Sequence, residues 1–230
     1  MKKILSMMLA LLCIFALVSC GGGTQGGEKP DPNPSTELDV FAAAEKGSAP
    51  TKIVSLTSYK AKDMFGEDIS FDGKFELVVN GNESIFDFEY EQFATVEDNA
   101  DDYIVTKKGA IAIQGGKSKL VVGDTMGSWE AVIPSMQNVA ALKIDKTLLP
   151  EDYTLSNENK KLSVSLTKEE ALAVLGVVID AASEITFEAE SNGTFISKVV
   201  IAYKAASGAE VRIASSYTYG AQTLDFSRFN

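Results

Sequence analysis

A serine and a lysine with catalytic spacing occur in Ser165-Leu166-Thr167-Lys168. In this S-x-x-K spacing a lysine can assist a serine nucleophile. The companion patterns S-D-N and K-T-G are absent from the sequence. Thr167 and Glu170 also form a helix capping box, which accounts for the same residues without catalysis. We therefore expect a helix start here and no catalytic serine.

A second short pattern, Gly116-Lys117-Ser118, matches the end of a phosphate-binding loop. The full pattern G-x-x-x-x-G-K-S needs a glycine where this chain has Ile111, and a helix directly afterwards. The residues 119 to 122, Lys-Leu-Val-Val, favour a strand instead. The pair Gly115-Gly116 therefore predicts a tight hairpin turn.

The N-terminus has the layout of an export signal. Lys2 and Lys3 precede an apolar run from Ile4 to Val18, which only Ser6 interrupts. This run is shorter than the ~20 residues that a membrane-spanning helix needs. Cys20 closes the pattern, and its thiol is the one nucleophile here that can form a stable thioether.

Leu17-Val18-Ser19-Cys20 resembles the bacterial lipobox. The resemblance implies cleavage by signal peptidase II between Ser19 and Cys20, diacylglycerol on the Cys20 thiol, and acylation of the new amine by palmitate. It places the protein on the extracytoplasmic face of a cell membrane, or on the outer membrane of a cell that has one. A plain secretory signal and an uncleaved anchor are the alternatives.

The remaining residue types exclude several kinds of site. Histidine is absent, and Cys13 lies in the signal, so lipidation of Cys20 leaves no imidazole or thiol for catalysis, zinc or iron–sulfur binding. The acidic group from Glu97 to Asp102 lacks the EF-hand pattern and is interpreted as a charged loop, with a weak calcium site as the alternative. Trp129 is typical of either a binding mouth or a core. We expect no catalytic residue, metal or cofactor.

Three regions follow from this pattern: a signal over 1–19, a flexible Gly/Pro tether over 20–36, and a single domain over 37–230. The net charge is −11, and loss of the signal lysines would make it −13. A chain this acidic repels nucleic acid, so we expect no nucleic-acid partner.

Period-two alternation dominates the domain. It predicts strands over 52–59, 71–79 and 85–96, and a hairpin about Gly115-Gly116. In the third of these strands, Phe86, Phe88 and Tyr90 alternate with acidic residues. A short helix is expected to begin at a capping box formed by Thr36 and Asp39 and to end at Gly47.

The last third of the chain predicts a three-stranded meander. Its turns contain Asn192-Gly193, which favours a two-residue type I′ hairpin, and Ser207-Gly208. A second short helix is expected from Lys168 to about Gly176. The fold class is therefore α+β, with an antiparallel sheet of hairpins and about two short helices.

A lipidated cysteine, a tether, a helix, antiparallel strands, a second helix and a final meander follow the order found in LolA/LppX/LprG-like lipoproteins. The segment "KLVVGDTMGSWE" is similar to their hairpin that ends on a Gly-Trp step, and residues 175–219 resemble the C-terminal segment of such proteins. The resemblance implies a half-barrel whose helices cover an apolar cavity for lipid or acyl chains. It carries over no ligand-binding residue.

Two functions remain open at this point. The first is a membrane-anchored, non-enzymatic protein that binds an apolar ligand. The second is an envelope interaction or sensor module with a filled core and a protein partner. An enzyme ranks below both.

Overall fold

The structure is a computed structural model, and it describes residues 39–230 except 64, 95–97, 99–102, 132–141 and 177. The predicted signal, the predicted cleavage site at Ser19 and Cys20, and the predicted tether lie outside the described residues. In the described part of the chain, no helix has the length and apolarity needed to cross a membrane.

Twelve strands, two α-helices and two short 3-10 helices, Lys146–Leu148 and Ser227–Phe229, make up the described fold. The strands are β1 (Lys52–Lys62), β2 (Asp68–Asn80), β3 (Glu83–Phe93), β4 (Ile104–Gln114), β5 (Lys117–Val122), β6 (Thr125–Met126), β7 (Glu130–Ala131), β8 (Thr154–Ser156), β9 (Lys161–Leu166), β10 (Ile185–Ser191), β11 (Ile196–Lys204) and β12 (Glu210–Thr218). The helices are α1 (Val40–Glu45) and α2 (Lys168–Leu175).

The strands form one open antiparallel sheet in the order β6-β5-β4-β3-β2-β1-β12-β11-β10-β9-β8, and β7 also pairs with β5. Each half of the chain is a meander in which strands that follow one another in sequence pair side by side, and α2 lies in the β9–β10 connection. The first and last long strands, β1 and β12, join the halves at the centre of the sheet. The sheet does not close into a barrel, which confirms the predicted half-barrel class.

Both helices lie on one side of the sheet, which we call the helix face. α1 contacts β10 and β11, and α2 contacts β9. Beneath them lies the largest core cluster, in which the side chains of Leu162, Ile185 and Phe187 are fully buried. The helix face of the C-terminal half is thus filled by its own side chains.

α2 begins and ends as predicted. The Thr167 hydroxyl accepts from the Glu170 amide at 3.2 Å, and the Glu170 carboxylate accepts from the Thr167 amide at 2.7 Å. Gly176 ends the helix with φ of 69°. Each of these two side chains accepts from a backbone amide that would otherwise lack a partner, and this fixes the start of the helix despite its short length.

Two local predictions were wrong. α1 is capped by Asp39, whose carboxylate accepts from the Ala42 amide at 2.8 Å; the proposed cap at Thr36 lies outside the described residues. The β10–β11 connection spans 192–195 and is not a two-residue type I′ turn. There the Asn192 side chain accepts from the amides of Thr194 and Phe195, so a turn built on this side chain replaces the tight one.

Candidate functional site

Aromatic side chains cover the helix face of the N-terminal half. Strand register aligns them in rows across β1 to β5. One row is Ile53, Leu77, Phe86, Ile111 and Leu120; the next is Ser55, Phe75, Phe88, Gly109 and Val122; the third is Thr57, Gly73, Tyr90 and Lys107. Phe75, Phe86, Phe88 and Tyr90 form a continuous group, which we call the aromatic patch.

Rings of the aromatic patch lie 6.1 to 6.4 Å apart, centre to centre. Phe75 is close to parallel with both Phe86 and Tyr90, at 15° and 12°. These spacings lie within the range of favourable aromatic pairs. The predicted alternation of β3 is confirmed, because Asp87 and Glu89 project from the opposite face.

Two glycines let the rings lie against the sheet. A Cβ added at Gly109 would lie 2.3 Å from the Phe88 ring and 2.5 Å from the Val121 carbonyl oxygen. One added at Gly73 would lie 2.8 Å from the Phe75 ring and 2.6 Å from the Thr57 hydroxyl. The absence of these side chains makes room for the Phe88 and Phe75 rings close to the strands.

The patch reaches solvent at the β5 side. Phe75 and Phe88 are buried, but Leu120, at the end of the first row, is 47% exposed, and Val122 is also exposed. Phe86, Tyr90 and Ile111 between them are partly buried. The surface therefore grades from a buried aromatic centre to an open aliphatic margin.

One ion pair stands beside the patch. Lys107, directly opposite Tyr90 in the third row, forms a salt bridge with Asp98. The Asp98 side chain is 6% exposed and that of Lys107 is 33% exposed. Burial raises the pKa of the neighbouring Tyr90 phenol.

A strip of hydroxyl groups separates the patch from the core under the helices. The Ser55 and Ser215 hydroxyls lie 2.7 Å apart across β1 and β12 and are buried. Tyr217, on the same face, contacts both the core cluster under the helices and the cluster that contains the aromatic patch. Burial and the nearby Tyr219 raise the pKa of the Tyr217 phenol. The centre of the helix face is therefore polar, uncharged and satisfied by its own hydrogen bonds.

The opposite face, which we call the back face, is covered over β3 to β5 by the C-terminal segment 219–230. Phe229 is fully buried against Ile85, Ala110 and Ala112. Its carbonyl accepts from the Lys119 ammonium at 2.6 Å, and Arg228 forms a two-point ion pair with Asp87 at 2.6 and 2.8 Å. Sequence reasoning missed this cover, because the segment lacks a helical or strand period.

Trp129 belongs to this back-face cluster and not to the aromatic patch. It packs beside the Phe229 group, and the Lys119 ammonium lies 5.7 Å from its ring centre. The Trp129 side chain is therefore part of a packing cluster with a cation contact.

Two clefts open elsewhere on the back face, with volumes of about 440 and 550 Å³. Lys74 and Glu89 line both of them. Glu89 pairs with the exposed Lys108 at 2.9 Å, and Lys52 pairs with Glu76 at 2.6 Å nearby. Such mutually paired, solvated charges are typical of an ordinary polar surface.

The structure places the remaining sequence candidates away from the patch. Ser165 is exposed on β9, and Gly115-Gly116 form the predicted hairpin turn with φ of 56° and 74°. Of the acidic group from Glu97 to Asp102, only Asp98 is described. Cys20, the candidate lipidation site, lies outside the described residues.

No family model and no curated protein matches the chain. Among solved structures, two examples show a weak likeness to the chain. A LolA superfamily protein from Nitrosomonas europaea is 9% identical with a TM-score of 0.29, covering 80% of this chain and 96% of its own. A hypothetical protein from Chlamydia trachomatis is 11% identical with a TM-score of 0.27, covering 80% of this chain and 95% of its own.

Proposed function

We propose that this protein is a membrane-anchored, non-enzymatic binding protein that holds an apolar ligand, a lipid or an acyl chain, against the aromatic patch. The observation that carries the proposal is the gradient along the first two rows, from buried Phe75 and Phe88 to exposed Leu120 and Val122. Contiguous apolar surface that reaches solvent is typical of a binding site.

The continuity of the patch across neighbouring strands supports an extended hydrocarbon ligand. The missing side chains at Gly73 and Gly109 let the rings lie low, and the strands run beneath them as a continuous surface. An acyl chain would gain about 0.8 kcal/mol for each methylene that it buries there.

The proposed anchor is the lipid on Cys20, joined to the domain by the tether over 20–36. Two or three acyl chains bind a membrane durably, whereas one binds only reversibly. Replacing Cys20 by Ser removes the thioether, and we expect the protein to leave the membrane fraction on cell fractionation. Unchanged membrane retention of Cys20→Ser would contradict the anchor.

Ligand binding is tested with N-phenyl-1-naphthylamine, an uncharged dye that fluoresces in apolar sites. We expect the purified full chain to enhance its fluorescence saturably. Leu120→Glu places a carboxylate at the open margin, and we expect it to weaken dye binding about tenfold, because burying an unpaired charge is costly.

Leu56→Glu is the matched control. Leu56 is also a strand leucine and is 55% exposed, but it alternates onto the back face. The Leu56→Glu protein should bind the dye as the unmodified chain does. Equal weakening by both substitutions, or no saturable binding at all, would refute the proposal.

A further inference from the structure

Charge is distributed unequally between the two faces of the N-terminal half. Register and alternation place the charged residues of β1 to β5 on the back face, among them Lys74, Glu76 and Glu89. Lys107 is the single exception within these five strands, each of which is described from end to end. Among the side chains of these five strands, Lys107 is therefore the one charged group on the face that carries the aromatic patch, and Asp98 from the β3–β4 connection is its partner.

The ammonium of Lys107 is held in a defined place. Its strand position lies directly opposite Tyr90, and Gly109 follows two residues later on the same face. The buried Asp98 carboxylate accepts from the ammonium. Asp98 orients the ammonium, while the Lys107 side chain keeps a third of its surface accessible.

An ammonium in this position can bind a second anion. It has three donors, and one carboxylate does not use all of them. Because the chain as a whole is acidic, with a net charge of −11, an anionic group needs a specific cation to lie near the patch. Lys107 provides one at the end of an apolar surface, which is the arrangement that an acyl chain with an acidic head requires.

We propose that Lys107 binds the carboxylate or phosphate group of an anionic amphiphile whose hydrocarbon chain lies on the aromatic patch. This rests on the proposed function and makes it more specific: the ligand is an acyl compound with an acidic head and not a neutral lipid. Asp98 acts as the positioning residue and as the internal anion with which the head group competes.

The test is displacement of N-phenyl-1-naphthylamine from the full chain by three compounds with equal hydrocarbon chains: dodecanoate, dodecyl phosphate and 1-dodecanol. We expect at least one of the two anions to displace the dye at about tenfold lower concentration than the alcohol, as a charge-assisted hydrogen bond would give. The better of the two anions identifies carboxylate or phosphate as the natural head group.

Variants assign the preference to Lys107. Lys107→Gln should abolish it while displacement by dodecanol stays unchanged, and Lys107→Arg should keep it. Lys108→Gln is the matched control, because Lys108 is the next residue but projects from the back face, where it pairs with Glu89. Asp98→Asn should strengthen binding of the anions alone, since the competing carboxylate is removed.

Three results would overturn the inference: equal displacement by anions and alcohol in the unmodified chain, equal loss for all three compounds in Lys107→Gln, or the same effect in Lys108→Gln. In each case dye binding itself persists, so the proposed function stands. Failure of the unmodified chain to bind the dye overturns the proposed function and this inference together.

Discussion

Substituting Gly109 by alanine tests whether the aromatic patch is built as described. The new Cβ would lie 2.3 Å from the Phe88 ring and 2.5 Å from the Val121 carbonyl oxygen. The ring can turn aside, but the carbonyl belongs to the β4–β5 ladder and can move only with its strand. Overpacking of this kind costs about 2 to 3 kcal/mol.

A gain of about 0.4 to 1 kcal/mol from the stiffer unfolded chain offsets part of that cost. The net loss for Gly109→Ala is therefore about 2 kcal/mol, which corresponds to a decrease in Tm of roughly 4 to 8 °C for a domain of this size. Urea unfolding followed by circular dichroism measures the free energy directly, and a thermal scan gives Tm.

Gly73→Ala provides the comparison. Its Cβ would meet only side-chain atoms, the Thr57 hydroxyl at 2.6 Å and the Phe75 ring at 2.8 Å, and both can rotate. We expect a loss below about 1 kcal/mol. A Gly109→Ala protein as stable as the unmodified chain, or a greater loss of stability in Gly73→Ala, would contradict the described packing of the patch.

Two further predictions concern the cap of α2 and the alkaline limit of the fold. Thr167→Ala removes the hydrogen bond from the Glu170 amide and should lower the free energy of unfolding, measured in urea, by about 1 kcal/mol. Ser165→Ala, at an exposed position two residues earlier, should change this free energy little. Equal stability of the two variants would contradict the capping role. Burial raises the pKa of Tyr219 to about 12, and its hydroxyl donates to the Ile196 carbonyl at 2.6 Å. Because the unfolded phenol ionises near pH 10, the folded state holds more protons between about pH 10 and 12, so stability should fall as pH rises through that window. Tyr219→Phe should reduce this fall, and an unchanged stability profile against pH would contradict the assignment.

Alternation and capping made much of the fold predictable from the sequence. The period of two in β3 placed Phe86, Phe88 and Tyr90 on one face before any partner strand was known. Local hydrogen-bond chemistry located α2, because Thr167 and Glu170 satisfy each other without tertiary contacts.

The site was less predictable, since it depends on register between strands. Alternation alone does not specify which residues of neighbouring strands pair. The pairing of β3 with β4 is what places Lys107 opposite Tyr90 and Gly109 under the Phe88 ring. The burial of Phe229 depends on a contact with Ile85 far away in the chain. The turn at Asn192 differs from the predicted type I′ turn because the Asn192 side chain accepts from the amides of Thr194 and Phe195.

The pairing of β1 with β12 has a consequence for how the protein folds. The hydroxyls of Ser55 and Ser215 meet although they are 160 positions apart in the sequence. The other long strands pair with the strand that precedes or follows them in the chain. Each meander can form from local contacts, but the central pairing requires closure of a loop of 160 positions. We therefore expect assembly of the two meanders to be the slow step of folding, which can be completed only after β12 has been synthesised.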